Sequence, residues 1–221
     1  MRKIRELLQE MMWNTKQYAP WLDSEYAELY KQAELRISKK RAYILIQILQ
    51  LAILQDGNVI EMGVYKGCTA YMICWILHKK NINKKIYLCD TFQGTPRRRY
   101  AEKGDRNRAG QYADTSLTYV KNKLKIFSEK SVFIPGLIPN SLMKIPQNEK
   151  FCFAHVHLNL YKSTIDALEY LFTRISEKGI IVIEDYGIKG CAGVRAAADE
   201  FCKKHDLQPV FLGSEQLVIF M

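Results

Sequence analysis

Residues 58–69 read NVIEMGVYKGCT, and this stretch decides the fold that we expect. Residues 59–62 form a short apolar run typical of a buried strand. Gly63 and Gly67 then allow a tight turn and a close approach of the backbone to a ligand. The stretch has neither the G-K-[ST] ending of a P-loop nor the G-x-G-x-x-G spacing. An acidic residue, Glu61, followed by two glycines is typical of a turn that binds a nucleoside cofactor, although such turns also occur without a ligand.

Short apolar runs alternate with helical stretches along the rest of the chain. Predicted strands cover residues 59–62, 86–89, 132–134, 151–158 and 180–183, and predicted helices cover residues 70–77, 117–127, 164–175 and 194–203. Residues 209–212 and 216–220 flank Gly213-Ser214 and predict a terminal hairpin. This alternation predicts an α/β protein with a doubly wound, mostly parallel sheet, helices on both faces and one antiparallel strand near an edge.

Residues 1–55 differ from the rest because they read as helices alone. A basic run, Lys39-Lys40-Arg41, leads into an apolar helix over residues 42–54, which Asp56-Gly57 ends. We therefore expect an N-terminal helical cap over residues 1–55 and an α/β domain over residues 56–221. The cap would cover the site or form a contact between copies of the chain, and we expect a homo-oligomer.

The composition bounds the class of protein. With 221 residues, 48% of them hydrophobic and 25% charged, the chain is not disordered, collagen-like or a coiled coil. Its formal charge of +10 fits a nucleic-acid surface, an anionic substrate or solubility alone. The six cysteines are scattered, which favours reduced thiols in the core. The charged N-terminus lacks the apolar core of a signal peptide, and no apolar run could span a bilayer, which predicts a soluble cytoplasmic protein without membrane insertion.

The second strand ends in the sequence LCDTF at residues 88–92. Asp90 lies roughly 20 to 30 residues past the glycine turn, where a carboxylate can accept hydrogen bonds from both hydroxyls of a ribose. The alternative is an aspartate that caps a turn. Because the glycine turn and the carboxylate occur in the expected order, the sequence favours a nucleoside cofactor.

Five motifs in order now indicate a family. They are EMGVYKG at 61–67, DTFQGTP at 90–96, LYKST at 160–164, EDYG at 184–187 and GVRAAADEF at 193–201. Over about residues 57–205 the chain resembles the macrocin and mycinamicin sugar O-methyltransferases, which use S-adenosylmethionine and have the class I methyltransferase fold. The resemblance implies a Rossmann-like, seven-stranded sheet with an antiparallel last strand. It also implies a divalent metal and a sugar hydroxyl as the methyl acceptor.

The resemblance assigns cofactor contacts residue by residue. The implied residues are Glu61, Gly63, Tyr65, Gly67, Thr69, Asp90, Thr91, Gly136 and Ser141. Asp90 matches the ribose carboxylate, and Tyr65 and Thr69 would face the methionine end. The segment from Gly136 to Ser141 corresponds to the loop on the adenine side.

The sequence departs from the family at the implied metal site. Where the family has an Asp-x-Asp-Leu-Tyr block, this chain has His157, Asn159 and Tyr161. The metal ligands would then be His157, Glu184 and Asp185, a set that holds magnesium or, more readily, a transition metal. Alternatively the metal site is lost and His157 acts as a general base or only fills space, or activity is lost altogether.

Three further residues complete the candidate site. Asn159 stands in the altered block, Lys162 could orient an acceptor oxygen, and Tyr186 would contact the substrate. His155 lies on the same face of the strand as His157, within the core. We take His157, Asn159 and Lys162 as the candidate catalytic residues.

A basic segment follows the second strand. Arg97, Arg98 and Arg99 begin it, and its position predicts a lid over the site. Arginine binds phosphate in a bidentate manner, so a phosphorylated or nucleotide-linked sugar is the expected acceptor, from natural-product or surface-glycan biosynthesis. The sequence is equally consistent with a solvated surface loop that does not contact the substrate.

Two other functions compete with sugar methylation. Nucleic-acid methylation would use the positive charge, but the chain lacks an N-P-P-Y type motif and an appended RNA-binding module, so a nucleic-acid partner is disfavoured. A family member without activity could instead serve as a binding partner of another protein.

Overall fold

The computed structural model describes residues 19–96, 105 and 109–221. The strands are β1 (Asn58–Met62), β2 (Ile86–Asp90), β3 (Ser131–Pro135), β4 (Phe151–Val156), β5 (Ile175–Ile183), β6 (Val210–Phe211) and β7 (Leu217–Phe220). The α-helices are α1 (Ser24–Gln32), α2 (Lys39–Ala52), α3 (Cys68–Lys79), α4 (Leu117–Lys123), α5 (Tyr161–Phe172) and α6 (Ala192–Lys204). Short 3-10 helices cover Pro20–Leu22, Lys125–Phe127, Asn140–Lys144 and Lys189–Cys191.

The strands form one seven-stranded sheet in the order β3-β2-β1-β4-β5-β7-β6. Strands β1 to β5 pair in parallel, whereas β7 pairs antiparallel with both β5 and β6. The predicted α/β class and the mostly parallel sheet are confirmed. In such sheets the loops that follow the strands meet at one edge, which is where ligands bind.

The alternation of side chains along β1 shows how the sheet separates two cores. Val59 packs on one face, in a hydrophobic cluster that includes Leu45 of α2 and Ile73 of α3. Ile60 packs on the other face, with residues of α5 and α6 such as Leu168. Successive strand residues point to opposite faces, so both faces of this buried strand are apolar.

The described part of the predicted cap packs on the same core as the sheet. Helix α2 contacts α3 and β5, and its apolar face belongs to the cluster that covers β1. Ser38 caps α2 by accepting a hydrogen bond from the backbone N–H of Arg41 at 3.2 Å. This anchoring brings the first turn of α2, and with it Arg41, next to the end of β5. Within the described residues no helix is long and apolar enough to cross a membrane.

Several predicted boundaries differ from those observed. Strand β4 ends at Val156 rather than at residue 158, and α5 starts at Tyr161 and ends at Phe172 rather than covering 164–175. Asn159 has a φ of 61°, a left-handed conformation outside the extended region, so the chain turns there before it reaches α5. At the other end, Ile175 pairs with Phe151 and opens β5. Apolar periodicity alone did not reveal either change of direction.

Candidate active site

A cavity of about 330 Å³ opens at the carboxyl edge of the sheet. Six of the predicted cofactor residues line this cavity: Gly63, Tyr65, Thr69, Asp90, Thr91 and Gly136. His157, Asn159 and Asp185 line it as well. The fold therefore brings the glycine turn and the altered block into one cavity. Glu61, Gly67, Ser141 and Glu184 lie behind or beside this lining.

The glycine turn has the conformation that the sequence predicts. Gly63 has a φ of +92°, and a Cβ added there would lie only 2.1 Å from the carbonyl oxygen of His157. Gly67 has a φ of +73° and forms the N-cap of α3. Any larger side chain at Gly63 would push the end of β1 away from the segment after β4, so glycine here keeps the two halves of the cavity together.

Asp90 connects the ends of β1 and β2. Its Oδ2 accepts hydrogen bonds from the backbone N–H groups of Val64 at 2.7 Å and Tyr65 at 2.8 Å. Its Oδ1 accepts one from the N–H of Phe92 at 2.8 Å. Thr91 donates its hydroxyl to the carbonyl of Gly94 at 2.9 Å, which shapes the next turn. Three N–H donors stabilise the carboxylate and hold it at the cavity wall.

Glu61 lies fully buried beneath the glycine turn. Its Oε1 accepts hydrogen bonds from the hydroxyl of Thr69 and from Nδ1 of His155, the latter at 2.8 Å. Its Oε2 has no hydrogen-bond partner among the described residues. Tyr65 donates its hydroxyl to Asp114 at 2.7 Å. These bonds fix the first turn of α3 and one side of the cavity mouth.

The adenine-side loop begins at Gly136. This residue has a φ of +138°, and its N–H donates to the carbonyl of Asp90 at 2.9 Å. Ser141 is buried behind it, and its hydroxyl has no hydrogen-bond partner among the described residues. The serine therefore supports the wall at Gly136 rather than lining the cavity.

The predicted metal ligands surround an arginine that sequence reasoning missed. Arg41 is 8% exposed, and its Nη2 donates to Oδ1 of Asp185 at 2.6 Å and to Oε2 of Glu184. Its Nε donates to the same oxygen of Glu184 at 2.9 Å. His157 contacts the other oxygen of Asp185, Oδ2, through Nε2 at 3.1 Å. The described residues contain no group of three side chains arranged to hold a metal ion.

This arrangement does not fit the predicted divalent metal. Glu184 Oε1 accepts from Nε2 of His155 at 3.1 Å and from Nε2 of Gln216 at 2.7 Å. With Arg41 on Oε2, both oxygens of Glu184 are bound by donors, and both oxygens of Asp185 are bound as well. A divalent ion would have to replace these donors to reach the 2.0–2.6 Å distances that its oxygen ligands require.

His155 is buried as predicted, and it carries charge. Its Nδ1 faces Glu61 and its Nε2 faces Glu184. Because carboxylate oxygens only accept, both ring nitrogens carry protons and the ring is an imidazolium. Burial alone would lower the pKa of His155, but the hydrogen bonds to Glu184 and Glu61 and their charges raise it to about 9.

The two acidic residues remain ionised. Burial acts to raise the pKa of Glu184, but the hydrogen bond from His155 and the neighbouring positive charges hold it below its usual range. The pKa of Asp185 is lowered in the same way, because the hydrogen bond from His157 and the guanidinium of Arg41 outweigh burial.

Other predicted site residues lie elsewhere. Lys162 forms an ion pair with Asp166 along α5, and its side chain is 45% exposed and outside the cavity lining. Tyr186 donates its hydroxyl to Asp199 at 2.7 Å and also lies outside the lining. Asn159 lines the cavity, as predicted. Arg97, Arg98 and Arg99 lie outside the described residues.

One part of the basic segment is described. The carboxylate of Asp105 accepts hydrogen bonds from the backbone N–H of Tyr161 at 2.9 and 3.2 Å. A Cβ added at Gly193 would lie 1.8 Å from Oδ1 of Asp105. Gly193 therefore leaves the space that lets Asp105 reach the first turn of α5.

Two curated relatives are similar in sequence. Demethyldecarbamoylnovobiocin O-methyltransferase from Streptomyces niveus is 26% identical over 68% of this chain and 60% of its own length. Mycinamicin III 3''-O-methyltransferase from Micromonospora griseorubida is 24% identical over 68% of this chain and 62% of its own. The chain thus spans about 60% of the length of these relatives.

Two solved structures share the fold. The O-methyltransferase NovP has a TM-score of 0.75 and 23% sequence identity, with 83% of this chain and 80% of NovP covered. CalS11, described as a TDP-rhamnose 3'-O-methyltransferase, has a TM-score of 0.63 and 19% identity, with 90% of this chain and 87% of CalS11 covered. The seven-stranded sheet is thus that of known methyltransferases.

The profile of the macrocin O-methyltransferase (TylF) family matches residues 25–215. This range includes α1 except for its first residue, the whole parallel part of the sheet and every described residue of the cavity. The resemblance read from the five motifs is confirmed, and the chain belongs to the macrocin O-methyltransferase family.

Proposed function

We propose that this protein transfers the methyl group of S-adenosylmethionine to a hydroxyl group of a sugar. The observation that carries the proposal is the single cavity that joins the Asp90 turn to the pair formed by His157 and Asp185. Two substrates held in one cavity react as though at very high concentration, which lowers the barrier by up to about 7–11 kcal/mol in ideal cases.

The residues on the cofactor side fit a nucleoside. The carboxyl group of Asp90 is fixed by three backbone donors and still faces the cavity, so it has acceptor capacity for ribose hydroxyls. Gly63 and Gly136, both with positive φ, leave the wall without side chains where a ligand approaches. S-adenosylmethionine supplies an activated methyl group on a sulfonium sulfur. Thr69, tied to Glu61, would border the methionine end.

His157 is the candidate base that takes the proton from the acceptor hydroxyl. The carboxylate of Asp185 accepts from Nε2, so a neutral ring carries its proton there and keeps a lone pair on Nδ1. Asp185 thereby sets the tautomer and orientation of the ring, as a carboxylate does in other acid–base pairs. General-base catalysis of this kind typically contributes a factor of about 10²–10⁴. Asn159, which lines the same wall, would help to hold the acceptor.

The acceptor class comes from the relatives and from the basic residues. CalS11 is described as acting on TDP-rhamnose, and the Streptomyces and Micromonospora relatives are named for glycosylated natural products. Arg36 lines the cavity, as do Thr95 and Pro96, and Arg97, Arg98 and Arg99 come directly after Pro96 in the sequence. We therefore extend the proposal to a sugar that carries a phosphate or a nucleotide.

The proposed location is a reducing compartment, the cytoplasm. The cysteines are all free and buried in the structure, which supports this choice. We also propose a homo-oligomer, to be tested by sedimentation.

The test is methyl transfer from labelled S-adenosylmethionine to TDP-rhamnose and to rhamnosylated natural products, with the methylated hydroxyl identified by NMR. We expect labelled sugar, and a 10²–10⁴-fold lower rate in His157→Gln. His78→Gln, an exposed histidine at the end of α3, is the matched control and should retain the rate. Label found only in RNA or DNA would favour nucleic-acid methylation. Failure to bind S-adenosylmethionine would favour an inactive binding partner.

A further inference from the structure

Arg41 occupies the position between the two acidic side chains at the end of β5. It reaches this position from the first turn of α2, far from Glu184 and Asp185 in sequence. Its guanidinium contacts both carboxylates through Nη2, and its Nη1 lies 3.4 Å from Glu215 Oε2. A bridging contact to two carboxylates from one side is also what a metal ion makes.

Hydrogen-bond donors already occupy every carboxylate oxygen of Glu184 and Asp185. Both oxygens of Glu184 and both oxygens of Asp185 accept hydrogen bonds from side chains. Four groups supply these bonds: Arg41, His155, His157 and Gln216. Buried polar groups are stable when they are satisfied, and neither Glu184 nor Asp185 has an oxygen left without a donor that would call for an additional cation.

The Arg41 guanidinium already places a positive charge between the carboxylates of Glu184 and Asp185. A divalent ion in the same position would lie beside this guanidinium and would bind the same oxygens. At the low dielectric of a buried site such a like-charge contact is costly.

We propose that the Arg41 guanidinium takes the place of a divalent cation between Glu184 and Asp185, so that this site works without a metal. Arg41 is then a positioning residue. By holding Oδ1 of Asp185 it leaves Oδ2 directed at His157, and so it keeps the ring nitrogens in their orientation. The consequence for catalysis rests on the function proposed above, whereas the ion-binding properties of the site do not.

Ion binding by the wild-type protein is the first measurement. Mn²⁺ is titrated into protein pretreated with EDTA, and binding is followed by electron paramagnetic resonance. We expect no one-to-one binding in the micromolar range and no change in melting temperature with added Mn²⁺. One equivalent of bound Mn²⁺ that disappears in Asp185→Asn would overturn the proposal. This measurement needs neither an acceptor nor turnover.

The variant Arg41→Ala tests the substitution of one cation for another. Without the guanidinium, Glu184, Asp185 and His157 become available as ligands, so we expect the variant to bind one Mn²⁺. It should melt about 6–20 °C below wild type, because a buried ion pair has lost one partner. Mn²⁺ at a hundred times its dissociation constant should restore about 5–11 °C. Zn²⁺ or Mg²⁺ can be compared in the same way.

Lys39→Ala is the matched control, since it removes one exposed positive charge from the same helix turn. It should neither bind Mn²⁺ nor change the melting temperature by more than about 2 °C, as is usual for surface substitutions. If Arg41→Ala folds but gains no Mn²⁺ binding, Arg41 is only a structural ion-pair partner and the proposal fails. If Arg41→Ala does not fold, the proposal is tested by the Mn²⁺ titration of the wild-type protein and by its methyl-transfer rate after EDTA treatment. A rate that is lost with EDTA and restored by Mn²⁺ contradicts the proposal, and an unchanged rate supports it.

Discussion

Replacing Asp90 with asparagine removes a negative charge from the cavity wall and keeps the size of the side chain. In the folded protein the carboxylate accepts three backbone hydrogen bonds, from Val64, Tyr65 and Phe92. The asparagine oxygen can replace only one of the two carboxylate oxygens. With that oxygen on Val64 and Tyr65, the amide NH₂ faces the N–H of Phe92, and one hydrogen bond is lost.

The size of the effect follows from this count. One unsatisfied donor costs about 1–3 kcal/mol, which corresponds to a melting temperature about 2–12 °C lower for a chain of this length. Binding of the cofactor is weakened as well, because a hydrogen bond from a ribose hydroxyl to a charged acceptor contributes about 1.5–3 kcal/mol to the binding free energy. We therefore expect the dissociation constant for S-adenosylmethionine to rise by about 10- to 150-fold in Asp90→Asn.

Isothermal titration calorimetry with S-adenosylhomocysteine, a stable product analogue, measures this change. Asp206→Asn is the control, because Asp206 is exposed in a turn with a φ of 52°, a conformation that asparagine adopts well. The control should bind like wild type. If folded Asp90→Asn binds within twofold of wild type, Asp90 does not contact the cofactor and the assignment of the cofactor half is refuted.

Three further predictions concern residues that position the site. Gly63→Ala should lower the melting temperature by about 2–12 °C, because the new side chain is strained at positive φ and its Cβ would lie 2.1 Å from the carbonyl oxygen of His157. Gly213→Ala, which has open space around its Cβ, should not lower it, and equal melting temperatures in the two variants would contradict the close approach at Gly63. For pH, burial opposes both shifts, but hydrogen bonding and charge raise the pKa of His155 from 6.5 to about 9 and lower that of Glu184 from 4.5 to about 2. The stabilisation from His155 is therefore complete below pH 6.5 and is lost as the pH rises towards 9, whereas that from Glu184 is complete above pH 4.5 and is lost as the pH falls towards 2. Urea unfolding at several pH values should show the alkaline decline flattened in His155→Gln, and an unchanged slope would argue against a charged His155. Finally, Gly193→Ala should displace Asp105 and speed tryptic cleavage after the arginines of residues 97–108. Gly190→Ala, whose added Cβ would lie 3.9 Å from the Ile188 side chain, should leave the cleavage rate unchanged. Identical rates in the two variants would show that Asp105 does not anchor this segment.

The parts of the site that the sequence predicts are those encoded by local patterns. A buried strand followed by Gly63 and Gly67 allows only a few conformations, and Asp90 follows the next strand in the order that the sheet requires. Parallel pairing of β1 with β2 then brings the turn and the carboxylate together. Local residue types and strand order therefore suffice for the cofactor half of the cavity.

The other half depends on contacts between distant segments. Arg41 was only the last residue of a basic run ahead of an apolar helix, a pattern that fits a solvated helix start as well as a buried ion pair. Gln216 comes from the terminal hairpin and reaches Glu184 only because β7 inserts next to β5. No local sequence pattern indicates either contact, so the sequence predicted that the carboxylates at the end of β5 are metal ligands. The departures at His157 and Asn159 were the hints in the sequence that this half differs from the family.

A crystal structure with S-adenosylhomocysteine, grown in the presence of Mn²⁺, would test the central claim most directly. We expect the ribose on Asp90, the sulfur directed at His157 across the cavity, and the Arg41 guanidinium between Glu184 and Asp185. A product analogue bound away from Asp90, or an anomalous manganese peak in place of the guanidinium, would contradict it.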